Sequence, residues 1–332
     1  MQHIACLAAL LHRRYRGRQD LRGTTGEHKH REQSHRLRDG PHPLRVLPRQ
    51  GHGIIAASPV DGRPAVGSPH HSSLREPSTM KRLLILGATG SLGRHLLQQA
   101  VAAGHQVSVI VRNPAKLPPD LRSRITVHPV DLGTVATGAL ADLVRGHEAL
   151  INCAGLVTEG RAFVDLVDRV VSSVESLAPS KRPICWFMAG AAVLDIGQTG
   201  RRGVELPKVR DTYWPHRKNF ERLNTSPIDW RLLCPGPMVD QAALGIDRLR
   251  IAADQLPVAV PSFAGKLPSP LLLLLFASKV PQMIVPYADA AALMLAHLAP
   301  RDAMSRHRVG LALPVGMRGK KDTWAAKPRS AS

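Results

Sequence analysis

The sequence predicts an α/β protein built on a doubly wound parallel sheet, and three observations carry that prediction. From residue 80 onward, short apolar runs alternate with helical stretches, the pattern of strands joined by crossover helices. The first run, "RLLIL" at 82–86, is almost continuously apolar, as expected of a strand covered on both faces. Three glycines follow it at once, Gly87, Gly90 and Gly93 in G-x-x-G-x-x-G spacing, and open a helix.

The elements follow in order. "KRLLILGA" (81–88) is the first strand, and "SLGRHLLQQAVAA" (91–103) a helix that stops at Gly104, a residue suited to a helix C-terminus. "QVSVIVR" (106–112) is rich in β-branched residues and ends at Asn113-Pro114. "RITVHPVDL" (124–132) is the third strand, followed by helical "TGALADLVRG". "EALINCAG" (148–155) is the fourth, and "RAFVDLVDRVVSSVESLA" (161–178) an amphipathic helix. "RPICWFMAG" (182–190) is the fifth, and helical "WPHRKNFERLNT" leads to the sixth, "DWRLLCPGPM" (229–238). A terminal helix, "PYADAAALMLAHLA" (286–299), is expected to be capped by Asp289. Together these make one domain over residues 80–318, with a disordered tail at 319–332.

Residues 1–79 differ in kind. They hold 13 Lys and Arg against 6 Asp and Glu, and nine of the 16 histidines, with no sustained apolar period. Such a segment buries too little apolar area to offset chain entropy, so a disordered extension is expected. Met80, followed by Lys81, Arg82 and a strand, is the expected translational start. His28, His30 and His35 have no cysteine or carboxylate framework around them, and no metal site is expected.

Composition narrows the function. The formal charge is +20, yet aromatic residues make up only 4%, leaving few platforms for stacking bases, and no nucleic-acid partner is expected. "PLLLLLF" (270–276) is far shorter than the roughly 20 residues that cross a bilayer, and no membrane association is expected. Cys6, Cys153, Cys185 and Cys234 show no CxxC spacing, which fits a reducing, cytoplasmic setting. A monomer or homodimer acting on a small molecule is the expectation.

The glycines carry the chemistry. In a turn of this kind the first glycine takes a backbone conformation closed to other residues. The second admits a pyrophosphate to the chain, and the third lets the helix pack on the sheet. The phosphates then meet the positive end of the helix at Ser91–Gly93. A Rossmann-type dinucleotide site is predicted. The second strand ends in Arg112, with Lys116 a turn on and no carboxylate between Gly104 and Pro119. A guanidinium pairs in two-pronged fashion with a phosphate, so NADP(H) is favoured over NAD(H).

"GATGSLGRHLLQQAVAAGHQVSVIVRNPAKL", with "VDL", "INCAG" and "DWRLLCPGPMV", resembles the NAD(P)H-binding, NmrA-like branch of the atypical short-chain dehydrogenases/reductases. Within it the chain is similar to the flavin reductase/biliverdin-IXβ reductase type, over residues 80 to about 315. The resemblance implies phosphate contacts from Gly87, Ala88, Thr89, Gly90, Ser91, Leu92 and Gly93. It implies that Asp131 and Leu132 flank the adenine, and that Cys153, Ala154 and Gly155 line the nicotinamide side. Met188-Ala189-Gly190 stands where catalytic members carry a serine.

The departures matter as much. Short-chain dehydrogenases use a Tyr-x-x-x-Lys pair to deliver a proton. In "DTYWPHRKNFERL" Lys218 occupies the lysine position, but Trp214 stands where the tyrosine belongs. Tyr213, one residue off, is expected to turn to another helix face. His216 and Lys218 remain as candidate catalytic groups, His216 resembling the histidine of the flavin reductase type. Two functions follow: an NADPH-dependent reductase of a small flat acceptor such as a flavin or quinone, or an NADP(H)-binding sensor of the NmrA kind without turnover. Residues 191–285 supply the substrate region, beyond the carboxyl ends of strands five and six. "PSFAGKLPSPLLLLLFASKVPQ" within it is expected to form an apolar lid, a dimer face or a core helix.

Overall fold

The computed structural model describes residues 80–320; the expectations for 1–79 and for 321–332 lie outside the described residues. Eight strands form one sheet in the order β3-β2-β1-β4-β5-β6-β10-β8. The strands are β1 (Arg82–Leu86), β2 (Gln106–Val111), β3 (Thr126–Pro129), β4 (Ala149–Asn152), β5 (Ile184–Met188), β6 (Trp230–Cys234), β8 (Arg250–Ala253) and β10 (Arg308–Ala312). All pairings are parallel except that of β8 with β10. A separate two-stranded pair joins β7 (Met238–Val239) to β9 (Val285–Pro286).

Among the described residues seven α-helices accompany the strands: α1 (Ser91–Ala102), α2 (Pro119–Arg122), α3 (Thr137–Val144), α4 (Arg161–Glu175), α5 (Val209–Asn224), α6 (Ser269–Lys279) and α7 (Tyr287–Ala296). The alternation along β1 shows why both faces are covered. Leu83 and Ile85 enter a core with Leu96 and Leu97 of α1 and Leu293 and Met294 of α7. Leu84 and Leu86 enter the other, with Leu140 of α3 and Val167 and Val171 of α4. A strand apolar on both faces is stable only between two helical layers.

The doubly wound sheet is the predicted one, enlarged. The six expected strands are present, and β10 and β8 extend the β6 side. Two expectations about helices are corrected. Asp289 does not cap α7, which starts after Pro286 with no side-chain cap. Instead it is fully buried and accepts hydrogen bonds from the N–H groups of Leu244 (2.9 Å) and Gly245 (2.9 Å), tying down the chain before β8. Helix α5 starts at Val209, and Pro215, a residue usual in a helix's first turn, lies inside it.

The order of strands reverses between β1 and β4, since the chain builds outward to β3 on one side and to β6 on the other. In open α/β sheets the crevice above such a switch point receives ligands, at the carboxyl ends of the strands.

Candidate cofactor and acceptor site

The glycine turn fills the switch point. Gly87 has φ +78°, and a Cβ placed on it would lie 2.7 Å from the Ala154 nitrogen at the end of β4. Both the backbone conformation and the close approach of the neighbouring strand therefore require glycine. Gly93 is required by contact alone: a Cβ there would lie against the Gly87 carbonyl oxygen and 2.8 Å from the Ala88 Cα. Gly90 is different. It is exposed, its N–H donates to the Gly87 carbonyl at 3.0 Å, and a Cβ would meet only that oxygen, at 3.3 Å. Helix α1 begins after Gly90 with no side-chain cap and no acidic residue in its first turn, so its first N–H groups stay available to an anion. Ser91 is exposed and Thr89 half-buried, whereas Ala88 and Leu92 pack into the core. Bare backbone, an uncapped helix start and the absence of a carboxylate fit a pyrophosphate.

The other predicted cofactor residues sit at the carboxyl ends of the neighbouring strands. Arg112 follows β2 and is exposed, as is Lys116. Asp131, after β3, accepts the Gly133 N–H at 2.8 Å and is exposed, while Leu132 is buried. The backbone there is held by Arg169 of α4, which donates to the carbonyls of Leu132 (2.6 Å) and Gly133 (3.0 Å). Arg169 carries no local signal of this role in the sequence, since the loop it holds lies 36 residues earlier. Cys153, Ala154 and Gly155 follow β4, where buried Asn152 accepts the Ala154 N–H at 3.0 Å and fixes the turn. Burial pushes the Cys153 thiol up to about 12, so it is no thiolate at neutral pH. Gly155 lies against the Phe163 ring of α4.

Beyond β5, Met188-Ala189-Gly190 is fastened to β6. The N–H groups of Ala189 and Ala191 donate to the carbonyls of Leu233 and Pro235, each at 2.8 Å. Facing Gly190 is the inner side of α5. His216 is 8% exposed, and its Nε2 lies 3.7 Å from where a Cβ on Gly190 would stand. Its ring meets Phe163 edge-on at 5.6 Å and stacks on Tyr213 at 5.9 Å. Burial lowers its pKa to about 4, keeping the imidazole neutral at pH 7. Its Nδ1 is buried with no hydrogen-bond partner, as are both polar atoms of Asn219 one turn on.

The structure corrects the expectation for Tyr213. Val209, Tyr213, His216, Asn219 and Leu223 follow one another at spacings of three and four along α5, and so share its inner face. Tyr213 Cε1 is 3.9 Å from a Cβ on Gly190, so the phenol points to the end of β5 beside His216. Lys218 lies on the outer side, where it is exposed and its Nζ binds Glu221 at 2.9 Å. The signal that finds the inner face is the count of apolar and small-spaced positions from Val209, not the family's Tyr-x-x-x-Lys register.

The chain after β5 is locked as well. Arg308, at the start of β10, is buried and donates to the Val193 carbonyl (2.7 Å). It also pairs with Asp195 (3.0 Å) and Asp254 (3.0 Å). Helix α6 covers this segment: Leu272 and Phe276 are buried in the core shared with Ala192 and Val204, while Leu271 and Leu274 face out. Among the described residues no cluster of three or more His, Cys, Asp or Glu side chains is placed to hold a metal, and no helix is long and apolar enough to cross a membrane.

A doubly wound sheet with a glycine turn at its switch point defines a dinucleotide-binding protein, and comparison with known proteins agrees. Residues 87–258, just over half the chain, match the NAD(P)H-binding family, and the chain belongs to that family. The uncharacterized protein YwnB of Bacillus subtilis is 26% identical over 163 residues, covering 48% of this chain and 73% of YwnB. Among solved structures, a candidate NADH-flavin reductase from Streptococcus pneumoniae superposes with a TM-score of 0.52 at 18% identity, over 70% of this chain and 99% of that one. A short-chain dehydrogenase/reductase from Veillonella parvula gives a TM-score of 0.52 at 13% identity, over 74% and 100% of the two chains. At these identities the likeness is one of fold.

Proposed function

We propose that the protein is an NADPH-dependent reductase that passes a hydride to a small flat acceptor, of flavin or quinone type, seated at the carboxyl end of β5 beside Gly190, Tyr213 and His216. The observation that carries this reading is the buried neutral imidazole of His216, with an unpaired Nδ1 and with Nε2 turned to Gly190. A buried polar atom without a partner costs roughly 1–3 kcal/mol, so the Nδ1 marks a ring that packing alone does not explain, and Nε2 is the atom that faces an acceptor beside Gly190. The bound cofactor supplies the hydride. Gly87, Gly90 and Gly93 bring bare backbone to its pyrophosphate, and Arg112 with Lys116 supplies positive charge where a 2′-phosphate falls. Asp131 and Leu132 form the adenine wall.

His216 and Tyr213 orient the acceptor. A pKa near 4 makes His216 a poor proton donor as imidazolium at pH 7, and burial raises that of Tyr213; both serve as neutral hydrogen-bonding groups. Flavins and quinones suit such a site because water can protonate their reduced forms. Lys218, paired with Glu221 on the outer side, takes no part. A reducing, cytoplasmic setting accords with free Cys153, Cys185 and Cys234.

One observation favours the other reading, a sensor without turnover: the β5 end offers no hydroxyl, only Met188, Ala189 and Gly190. Purified protein with NADPH and FMN, FAD or a soluble quinone separates the two. The reductase reading expects NADPH oxidation, lowered roughly a hundredfold by His216→Ala, the cost of a misplaced acceptor, and less by Tyr213→Phe. Tight NADPH binding without turnover on the whole panel leaves the sensor.

A further inference from the structure

The end of the sheet opposite the glycine turn carries a second concave site. Where β1, β4, β5 and β6 begin, a crevice of about 910 Å³ opens between the chain segments that lead into them. Seven cationic side chains line it against two carboxylates, Glu148 and Asp229. Both carboxylates are already committed. Glu148 accepts from the Arg82 N–H and lies 3.8 Å from both Lys81 and Arg82. Asp229 accepts from the Ser305 hydroxyl (2.5 Å), the Arg231 guanidinium (3.1 Å) and the Arg301 N–H (3.0 Å). Arg145 turns to Asp142. Four cations then remain with no carboxylate within ion-pair reach among the described residues: Lys181, Arg182, Arg301 and Arg306.

Two of these four sit where the backbone disfavours them. Arg301 and Arg306 have φ of +54° and +61°, two of only four non-glycine residues with positive φ among the described residues. A left-handed residue with a Cβ is disfavoured by contact between that Cβ and the following carbonyl oxygen. Arg306 has an internal reason to be there, since its guanidinium donates to the carbonyls of Ser226 (2.9 Å) and Ile228 (3.2 Å) and lies over Trp230. Arg182 similarly donates to the carbonyls of Glu175 and Leu177. The Arg301 side chain makes no hydrogen bond or ion pair within the described residues, and neither does Lys181.

We infer that this crevice binds a small polyphosphate, a diphosphate or triphosphate group held chiefly by Arg301 and Lys181 with Arg182 and Arg306 beside them. Guanidinium and ammonium groups without a carboxylate partner, lining one concavity, are the chemistry that recognises such anions. The crevice is of small-ligand size, and no Phe, Tyr or Trp lines it, which disfavours single-stranded nucleic acid, for which large stacking platforms are needed. The site is separate from the cofactor turn. The five residues of β1 lie between them, a span of about 16 Å at strand rise.

The test uses the full chain saturated with NADPH, so that the glycine turn is filled, and titrates inorganic tripolyphosphate by calorimetry. One further site is expected, weakening as salt is raised. Arg301→Gly with Lys181→Ala should lower the affinity at least tenfold while leaving NADPH affinity unchanged. Glycine suits the backbone at 301, so this variant should melt no lower than the parent, and lost binding then cannot come from unfolding. Absence of tripolyphosphate binding to the parent protein overturns the inference. So does equal binding by the double variant, which would place the anion elsewhere, for instance on the basic residues 1–79.

Discussion

On the β1–β4 side of the sheet the groups offered to a ligand are backbone N–H groups and glycine Cα atoms, whereas on the β5–β6 side they are side chains carried by α5. The first site is made by what is missing. Gly87 and Gly93 have no room for a Cβ, and Gly90 has room but no covering. The second is made by what is buried: a neutral imidazole and a phenol stacked against each other, held by helix packing rather than by a loop. A backbone site tolerates no substitution at its contact points, while a side-chain site tolerates many in fold and few in function. That difference can be measured.

The largest effect should come from Gly93→Ala. Alanine in a helix gains about 1 kcal/mol over glycine, but here its Cβ must displace the Gly87 carbonyl. Overpacking of this kind costs roughly 1–3 kcal/mol or more. The expected net is a loss of about 2 kcal/mol, a fall in Tm of about 4–8 °C, with NADPH binding reduced a hundredfold or more. Gly90→Ala sharpens the comparison. Its Cβ meets one oxygen at 3.3 Å, so Tm should move by no more than about 2 °C while NADPH affinity still falls about tenfold. Equal losses of stability in the two variants would contradict the separation of packing glycine from ligand-facing glycine.

The acceptor side should announce itself through pH. The His216 pKa is lowered from 6.5 to about 4 by burial, so between these values the unfolded chain binds the proton and the folded one does not. Stability therefore falls as pH drops through that window, by about 3 kcal/mol in all, and is unaffected above it. His105 and His147 are shifted in the same direction by burial, so the parent slope is shared. The difference between the parent and His216→Phe in denaturant unfolding at pH 7 and pH 4.5 isolates this residue. A parent and variant with parallel pH profiles would mean that His216 is hydrated and charged in the folded state.

How far each region was legible in the sequence follows from the same contrast. The glycine turn and strands β1 to β6 were readable because their causes are local: continuous apolar runs, β-branched residues, and glycine spacing at a strand end. The face of α5 was not. Its phase is set by packing of Val209 and Leu223 into the core, and Pro215 within the helix imitates a helix start. Strands β8 and β10 also escaped. "RIAA" and "RVGLA" are short, and each begins with arginine, a residue that enters a core only when distant partners neutralise it. For Arg308 those partners are Asp195 and Asp254, far away in sequence. Asp289 looked like a cap because caps are local, and it is used instead to hold Leu244 and Gly245.

Cofactor choice is the next smaller effect. Arg112 is exposed at the end of β2, so the proposed contact with a 2′-phosphate would be a charge-assisted hydrogen bond near solvent. NADPH should bind at least tenfold more tightly than NADH, and Arg112→Ala should remove most of that preference, about 1.5 kcal/mol, without changing NADH affinity. Fluorescence titration with both cofactors decides it. Equal affinities in the parent protein would move the phosphate contact elsewhere or abolish the preference.

The smallest effect should come from Lys218→Ala, and its smallness is the informative part. In the register of the short-chain dehydrogenases this lysine would lower the pKa of a catalytic phenol, and its loss would stop turnover. Here the side chain is 51% exposed and its Nζ binds Glu221 three residues on, an arrangement worth at most about 0.5 kcal/mol on a helix surface. Its removal should therefore shift stability by no more than that and leave kcat with FMN or a quinone within about twofold of the parent. His216→Ala, two residues away but on the inner face, should lower kcat at least a hundredfold under the same conditions. A collapse of turnover in Lys218→Ala would show that α5 rotates or unwinds when the acceptor binds, bringing Lys218 inward. The difference between the two variants, measured with one acceptor, thus reads out which face of α5 meets that acceptor.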